Sequence, residues 1–236
     1  MLEVEKIDVY YGEFRVLKDV TLNIGGNELV AVFGPNGHGK STLLKAICGL
    51  HPPASGSIKY NGEEISRMSP EKIVEMGLVY IAEDRHLFPQ MTVLENLKLG
   101  AYNIKARKKK IFDENLDYVF HLFPRLKDWT MRLASTLSGG EARMLAIGRG
   151  LMSSAKLLAI DEPSLGLAPI VRTDVFSKIA EINKSGMSIL LVEQNVAEAS
   201  RLIKRSYALE DGRIVFEGDK KELLDDQHLK KLFLGV

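Results

Sequence analysis

Cysteine is almost absent: Cys48 is the only one among 236 residues. A lone thiol excludes an intrachain disulfide and fits a reducing compartment. It falls in an apolar helix-like stretch, Leu43 to Cys48, where packing is expected rather than reactivity. Long apolar runs are missing as well. Runs such as Ile189-Leu190-Leu191-Val192 fall far short of the ~18 residues needed to span a bilayer. Contact with a membrane is therefore expected to go through a partner protein. No basic-then-apolar leader follows Glu3 and Glu5, so no secretory signal is expected. Neither charge sign is in excess: Lys and Arg number 32, Asp and Glu 31, for a net charge of +1. That balance gives no bulk attraction to nucleic acid or to a membrane surface. Internal repeats, low-complexity segments and long linkers are lacking too. The remaining composition, 45% hydrophobic and 27% charged, is that of a globular chain with a real core.

The informative stretch is Gly34-Pro35-Asn36-Gly37-His38-Gly39-Lys40-Ser41-Thr42. An apolar run, Leu29 to Phe33, precedes it, and the Leu43 to Cys48 helix follows. Strand, glycine-rich turn and helix form the context of a phosphate-binding loop. The turn gathers backbone N–H groups toward one point, and the helix N-terminus adds its positive dipole end. Lys40 would reach the β- and γ-phosphates, and the Ser41 hydroxyl would ligate Mg²⁺. A plain strand-to-helix turn would need neither residue.

Along the chain, Leu2 to Tyr10 alternates as a strand. Val20 to Ile24 alternates again, and Gly25-Gly26 reads as a hairpin turn before the phosphate-loop strand. Ser57 to Tyr60 and Glu63 to Ile65 read as a hairpin about Asn61-Gly62. Gly77 to Ile81 reads as a buried strand. From Thr92 to about Ala134 helical spacing takes over, the mark of an inserted helical lobe. The basic run Arg107-Lys108-Lys109-Lys110 lies within it and is expected to be a solvated face or loop. Ser138 to Met152 is a capped helix, Leu157 to Ile160 a buried strand, Val171 to Asn183 a helix and Ser188 to Val192 a strand. A hairpin about Asp211-Gly212 and a helix over Lys220 to Phe233 close the chain.

Three apolar strands end in polar residues: Leu78–Ile81 leads to Glu83, Leu157–Ile160 to Asp161 and Glu162, Ile189–Val192 to Gln194. In open parallel sheets the ligand lies beyond the carboxyl ends of the strands. Asp161 is thus a candidate to hold Mg²⁺, with Ser41 and Glu83 beside it. Glu162 is placed to take a proton from an attacking water. Gln194 can donate hydrogen bonds to the γ-phosphate region but cannot titrate. A further stretch, Leu137-Ser138-Gly139-Gly140-Glu141, combines a capping serine with glycines at a helix start, which makes a second anion site. Two such sites in one chain make sense if the second closes over the nucleotide of another subunit.

With these motifs the chain resembles the ATP-binding subunits of ABC transporters over essentially its whole length. The resemblance implies a P-loop NTPase, RecA-like: an α/β fold with a mostly parallel core, an antiparallel β subdomain and an inserted α-helical subdomain. The whole chain, 1–236, would be one ABC ATPase domain. Its catalytic core would cover about 1–88 and 153–236, and its helical subdomain about 89–152. Gly34 to Thr42 corresponds to the Walker A loop, Leu137 to Glu141 to the signature, and Leu157 to Asp161 with Glu162 to Walker B and the catalytic base. Tyr11 corresponds to the aromatic that stacks on adenine, and Ser164-Leu165-Gly166-Leu167 to the D-loop.

The general family carries Gln where this chain has Glu83 and His where it has Gln194. Those departures, with Tyr80-Ile81-Ala82-Glu83, Met144-Leu145-Ala146-Ile147-Gly148-Arg149, Pro163 to Pro169 and Leu191 to Asn195, resemble the LivF-type subunits of branched-chain amino-acid importers. That class implies ATP and Mg²⁺, a second ATP-binding subunit, two membrane permeases and, indirectly, an extracytoplasmic binding protein. It also implies a peripheral place on the cytoplasmic face of the membrane and no nucleic acid. His38 replaces the more usual Ala and is expected to face solvent or the helical lobe. Two other readings stay open: an ATP-gated dimerisation module with weak hydrolysis, and a non-transport ABC ATPase.

Overall fold

The computed structural model describes residues 1–103 and 107–234. The N-terminal part comprises β1 (Leu2–Tyr11), β2 (Phe14–Ile24), β3 (Leu29–Phe33), α1 (Lys40–Ile47), β4 (Ser55–Tyr60), β5 (Glu63–Glu64), α2 (Pro70–Met76) and β6 (Leu78–Ile81). Helices follow: α3 (Val93–Gly100), α4 (Lys109–Leu122), α5 (Pro124–Asp128) and α6 (Gly139–Leu151). Then come β7 (Leu157–Asp161), α7 (Pro169–Lys184), β8 (Ser188–Glu193), α8 (Val196–Ala199), β9 (Arg205–Glu210), β10 (Arg213–Gly218), α9 (Lys220–Asp225) and α10 (Gln227–Leu234).

The strands form two sheets. An antiparallel sheet has the order β2-β1-β4-β5, and a mostly parallel one has the order β10-β9-β3-β8-β7-β6. Within the second, β9, β3, β8, β7 and β6 run parallel, and β10 returns antiparallel along β9. This is the expected α/β class. All five residues of β3 are buried, and the pleat divides them. Leu29, Ala31 and Phe33 join a core with the helices between β6 and β7. Val30 and Val32 join a second core, shared with α1 and the antiparallel sheet. A strand covered on both faces reads as an unbroken apolar run. Cys48 packs in this second core, where burial pushes its thiol well up.

Three local readings change. Gly25-Gly26 is not a hairpin turn, because β2 and β3 lie in different sheets and β3 pairs with β8 and β9 instead. The strand before it begins at Phe14, so the hairpin turn lies at Gly12-Glu13. The terminal helix is two helices. Asp226 takes extended backbone (φ −68°, ψ 120°) and its carboxylate accepts from Leu229 N–H at 2.9 Å. A side chain that caps a new helix ends the old one.

Candidate functional site

The loop between β3 and α1 is fixed by tight packing. Gly39 lies at φ 103°, and a Cβ there would fall 2.7 Å from Leu17 Cδ2, so only glycine fits. Asn36 and Gly37 are exposed, Pro35, Ser41 and Thr42 half-buried, and Gly34 and Gly39 buried. Lys40 opens α1 and is only 4% exposed. Its Nζ donates to Pro35 O at 3.1 Å and pairs with Glu162 Oε1 at 2.8 Å.

Both carboxylates come from the end of β7. The Asp161 carboxylate accepts from Ser41 Oγ at 3.1 Å and from Tyr80 OH at 2.7 Å. Burial pushes its carboxyl above the usual carboxylate range, and the bonds from Tyr80 and Ser41 pull it back. Tyr80 reaches it because β6 runs parallel to β7 in the register Tyr80↔Ala159, and Ala159 shares a face with Asp161. Glu162 follows at φ 40°, a left-handed conformation rare for such a residue. Its N–H donates to Val192 O at 3.0 Å. Its side chain is buried, 5% exposed, against Lys40.

Lys40, Ser41, Asp161 and Glu162 thus converge at the carboxyl ends of β3 and β7. Other predicted residues stand differently. The Glu83 side chain is exposed, and the group held there is its carbonyl, which accepts from Arg143. Gln194 is exposed just beyond β8. The carboxylate turned inward at that strand end is Glu193, 1% exposed, which accepts from Ser164 N–H at 3.0 Å. Tyr11 is 45% exposed and stacks on His51, with ring centroids 4.2 Å apart. His38 is half-buried, its side chain 25% exposed. Its Nδ1 accepts from Asp211 N–H at 2.9 Å, which docks the loop on the β9–β10 turn.

The second anion motif opens α6. Ser138 and Glu141 form a capping box, with Ser138 N–H donating to Glu141 Oε2 at 2.8 Å. The side chains nearest to Gly139 are Leu167 and Arg85. Among the described residues, no hydrogen bond or ion pair joins 137–141 to the 34–42 loop. A Cβ on Gly140 would lie 2.4 Å from Val171 Cγ1, so α6 rests directly on α7 there.

Sequence reasoning missed Tyr80, His51, Glu193 and Arg143. Arg143 had a visible signal. It occupies the same helical stripe as Gly140, Ile147 and Gly150, all buried, where an apolar residue is expected.

A family model described as ABC transporter matches residues 17–165. The high-affinity branched-chain amino acid transport ATP-binding protein BraG of Pseudomonas aeruginosa is 43% identical over the whole of both chains. The probable branched-chain amino acid transport ATP-binding protein LivF of Archaeoglobus fulgidus is 38% identical, over 100% of this chain and 99% of its own. A crystal structure of an ABC transporter ATP-binding cassette in its ADP conformation has a TM-score of 0.87 at 28% identity, covering 100% of this chain and 99% of that one. Members of this family bind and hydrolyse ATP, and among the described residues no helix is long and apolar enough to cross a membrane. By its motifs, its two sheets and these matches, the chain belongs to the ABC transporter family as an ATP-binding, ATP-hydrolysing subunit.

Proposed function

We propose that this subunit drives the import of branched-chain amino acids, the transport named for its relatives BraG and LivF. The observation that carries the catalytic part is the convergence of Lys40, Ser41, Asp161 and Glu162 at one end of the parallel sheet, with the signature held apart on α6. ATP would lie along the 34–42 loop, its adenine on the free face of Tyr11 and its β- and γ-phosphates at Lys40. Lys40 already grips Glu162, so a phosphate taken at Nζ competes with that carboxylate and frees it. Glu162 then accepts the proton as the oxygen of an attacking water bonds to the γ-phosphorus and the bond to the β-phosphate oxygen breaks. Gln194, just beyond β8, would position the water or γ-phosphate by turning inward.

The donors suit Mg²⁺. One hydroxyl and one carboxylate converge at Ser41 and Asp161. Among the described residues no cluster of three His, Cys, Asp or Glu side chains could hold a metal on its own. A hard ion that keeps waters and takes phosphate oxygens fits so sparse a set, and it would neutralise charge on the transferred phosphoryl group. Glu83 would join these ligands only by turning inward.

The signature of a second ATP-binding subunit, the counterpart of Ser138 to Glu141, would complete the site. The core at about 1–88 and 153–236 would hold nucleotide, and the helical subdomain at about 89–152 would meet the permeases on the cytoplasmic face of the membrane. A groove of about 600 Å³ where the core meets this subdomain, lined by Glu71, Val74 and Phe88 from the one and Leu99, Tyr102 and Arg107 from the other, would extend the permease contact. Glu162→Gln tests the reading. It should dimerise with ATP and Mg²⁺ and lose at least ~100-fold in turnover, as for loss of a general base. Sedimentation as a monomer at saturating ATP, with and without the second ATP-binding subunit, would count against the shared site.

A further inference from the structure

Arg143 is 1% exposed, yet its guanidinium meets no carboxylate among the described residues. It donates instead to three main-chain carbonyls from two segments of the site. Nη1 bonds Ala82 O at 3.0 Å; Nη2 bonds Glu83 O at 2.8 Å and Glu162 O at 3.2 Å. Burial and the neighbouring Arg85 pull the guanidinium down to about 10, which leaves it charged at neutral pH. Six residues further along α6, Arg149 donates to Arg85 O at 2.9 Å and His86 O at 2.7 Å. Arg85 and His86 both have positive φ, 67° and 44°. Two arginines of one helix therefore hold the carbonyls of a bent loop, and one of them also reaches the end of β7.

A buried cation is a poor way to gain stability, since well-packed apolar residues generally do as well or better. Its geometry is the more telling property. A planar fork of five donors holds three carbonyls in fixed relation, whereas an ammonium is a single-atom donor on a flexible stem and an amide has only two N–H groups. Glu162 needs such a hold. Its backbone is in the left-handed region, and it is pinned on both sides: its N–H by Val192 O, its C=O by Arg143. Strained conformations persist only where the surroundings over-determine them.

We propose that Arg143 is a positioning residue for hydrolysis: it fixes the main chain of Glu162 and of Glu83 to α6, so the helix that carries the signature also sets the aim of the base. The inference rests on the reading of Glu162 as general base. Any displacement of α6 by a nucleotide at its signature would reach Glu162 of the same subunit through the Arg143 hydrogen bond.

A double-mutant cycle on the full chain tests it, with Arg143→Gln, Glu162→Gln and the pair, read as single-turnover cleavage of ATP with Mg²⁺ for the rate and as steady-state turnover for KM. Arg143→Gln should slow cleavage about 10- to 100-fold, the cost of a catalytic group displaced by up to an ångström. The KM for ATP should stay within about threefold, because ground-state binding is untouched. In the Glu162→Gln background the same substitution should change the rate by less than about threefold, since residues acting as a unit are not additive. Multiplying costs, a parental rate in Arg143→Gln, or a KM that rises in step with the loss would each overturn the proposal. If Glu162→Gln alone keeps the parental rate, the base reading falls and takes this inference with it. If Glu162→Gln is slow and the costs multiply, only the Arg143 link falls. Should Arg143→Gln fail to fold, Arg143→Lys enters the same cycle. It keeps the charge but replaces the rigid fork with one nitrogen on a flexible stem, and the same non-multiplying loss is expected.

Discussion

Tyr80→Phe removes one hydroxyl from the site and leaves the ring that packs in β6. That hydroxyl donates to Asp161 Oδ2 at 2.7 Å, a charge-assisted bond to the carboxylate proposed to hold Mg²⁺. Hydrogen bonds to charged groups contribute about 1.5–3 kcal/mol, and partners that orient a metal ligand typically govern about 10- to 100-fold in metal affinity. The two ranges agree, since about 1.4 kcal/mol is tenfold in an equilibrium constant. The free Mg²⁺ giving half-maximal turnover should therefore rise about tenfold or more. Binding of nucleotide without Mg²⁺ should be unchanged, because among the described residues the Tyr80 hydroxyl is linked by hydrogen bonds to the 34–42 loop only through Asp161 and Ser41. The sign of the pH effect follows from Asp161. Burial already pushes its carboxyl up, and the Tyr80 bond is the first of the effects that hold it down. Without that bond the carboxyl rises further. It must be ionised to hold the metal, so activity on the acid side should be lost at a higher pH in the variant than in the parent. The assay is turnover against free Mg²⁺ at several pH values, with the unfolding midpoint as a control. An unchanged Mg²⁺ requirement and an unchanged acid limb would refute the placement of Tyr80 behind the metal ligand.

Three further outcomes are expected. Gln194→Ala should lower turnover roughly 10- to 1000-fold, as for one transition-state hydrogen bond, with nucleotide affinity nearly unchanged; Gln194→His should stay active and add a pH dependence near neutrality. A parental rate in Gln194→Ala would remove that side chain from the active site. Gly140→Ala should destabilise by about 1–3 kcal/mol through its clash with Val171, and Val171→Ala should relieve it; thermal unfolding of both and of the pair reads this. Arg205→Gln should cost about 2 kcal/mol near neutral pH, since Arg205 donates to both oxygens of Glu28, to Glu217 and to Asn23 O of the other sheet. Arg205 beside Glu28 holds that carboxyl below its ordinary value, so its share of stability is present above the carboxylate range and is lost as pH falls below about 4. Denaturant midpoints of parent and variant should converge in acid.

The parallel sheet was legible because each of its central strands is buried on both faces, and such strands are short unbroken apolar runs, as at Leu29–Phe33 and Leu157–Ile160. Sheet membership was not. Gly25-Gly26 has hairpin composition, and no local feature tells the chain that β3 will pair with strands 160 (Leu29↔Ile189) and 175 (Val30↔Arg205) residues later. The break at Asp226 was hidden for a related reason. An aspartate in a helical pattern can face solvent or cap a helix, and the choice depends on where α10 must lie.

In the site, the legible residues are those whose work depends on sequence neighbours. Lys40 and Ser41 follow their glycine turn, Asp161 and Glu162 end an apolar strand, and Ser138 caps its own helix. The residues that orient them come from elsewhere in the chain. Tyr80 lies 81 positions from Asp161, and Arg143 lies 60 from Glu83 and 19 from Glu162. Their partners are a carboxylate in one case and main-chain carbonyls in the other. Every residue offers a carbonyl, so a sequence carries no mark of which ones a buried guanidinium will hold. What the sequence did carry was the anomaly on the donor's side, a charged residue in the apolar stripe of α6 between Gly140 and Ile147. A buried charge must find partners or leave the core. A stripe position that breaks the apolar pattern beside a catalytic motif therefore marks where to look for the second layer of a site, even when the partners themselves are invisible.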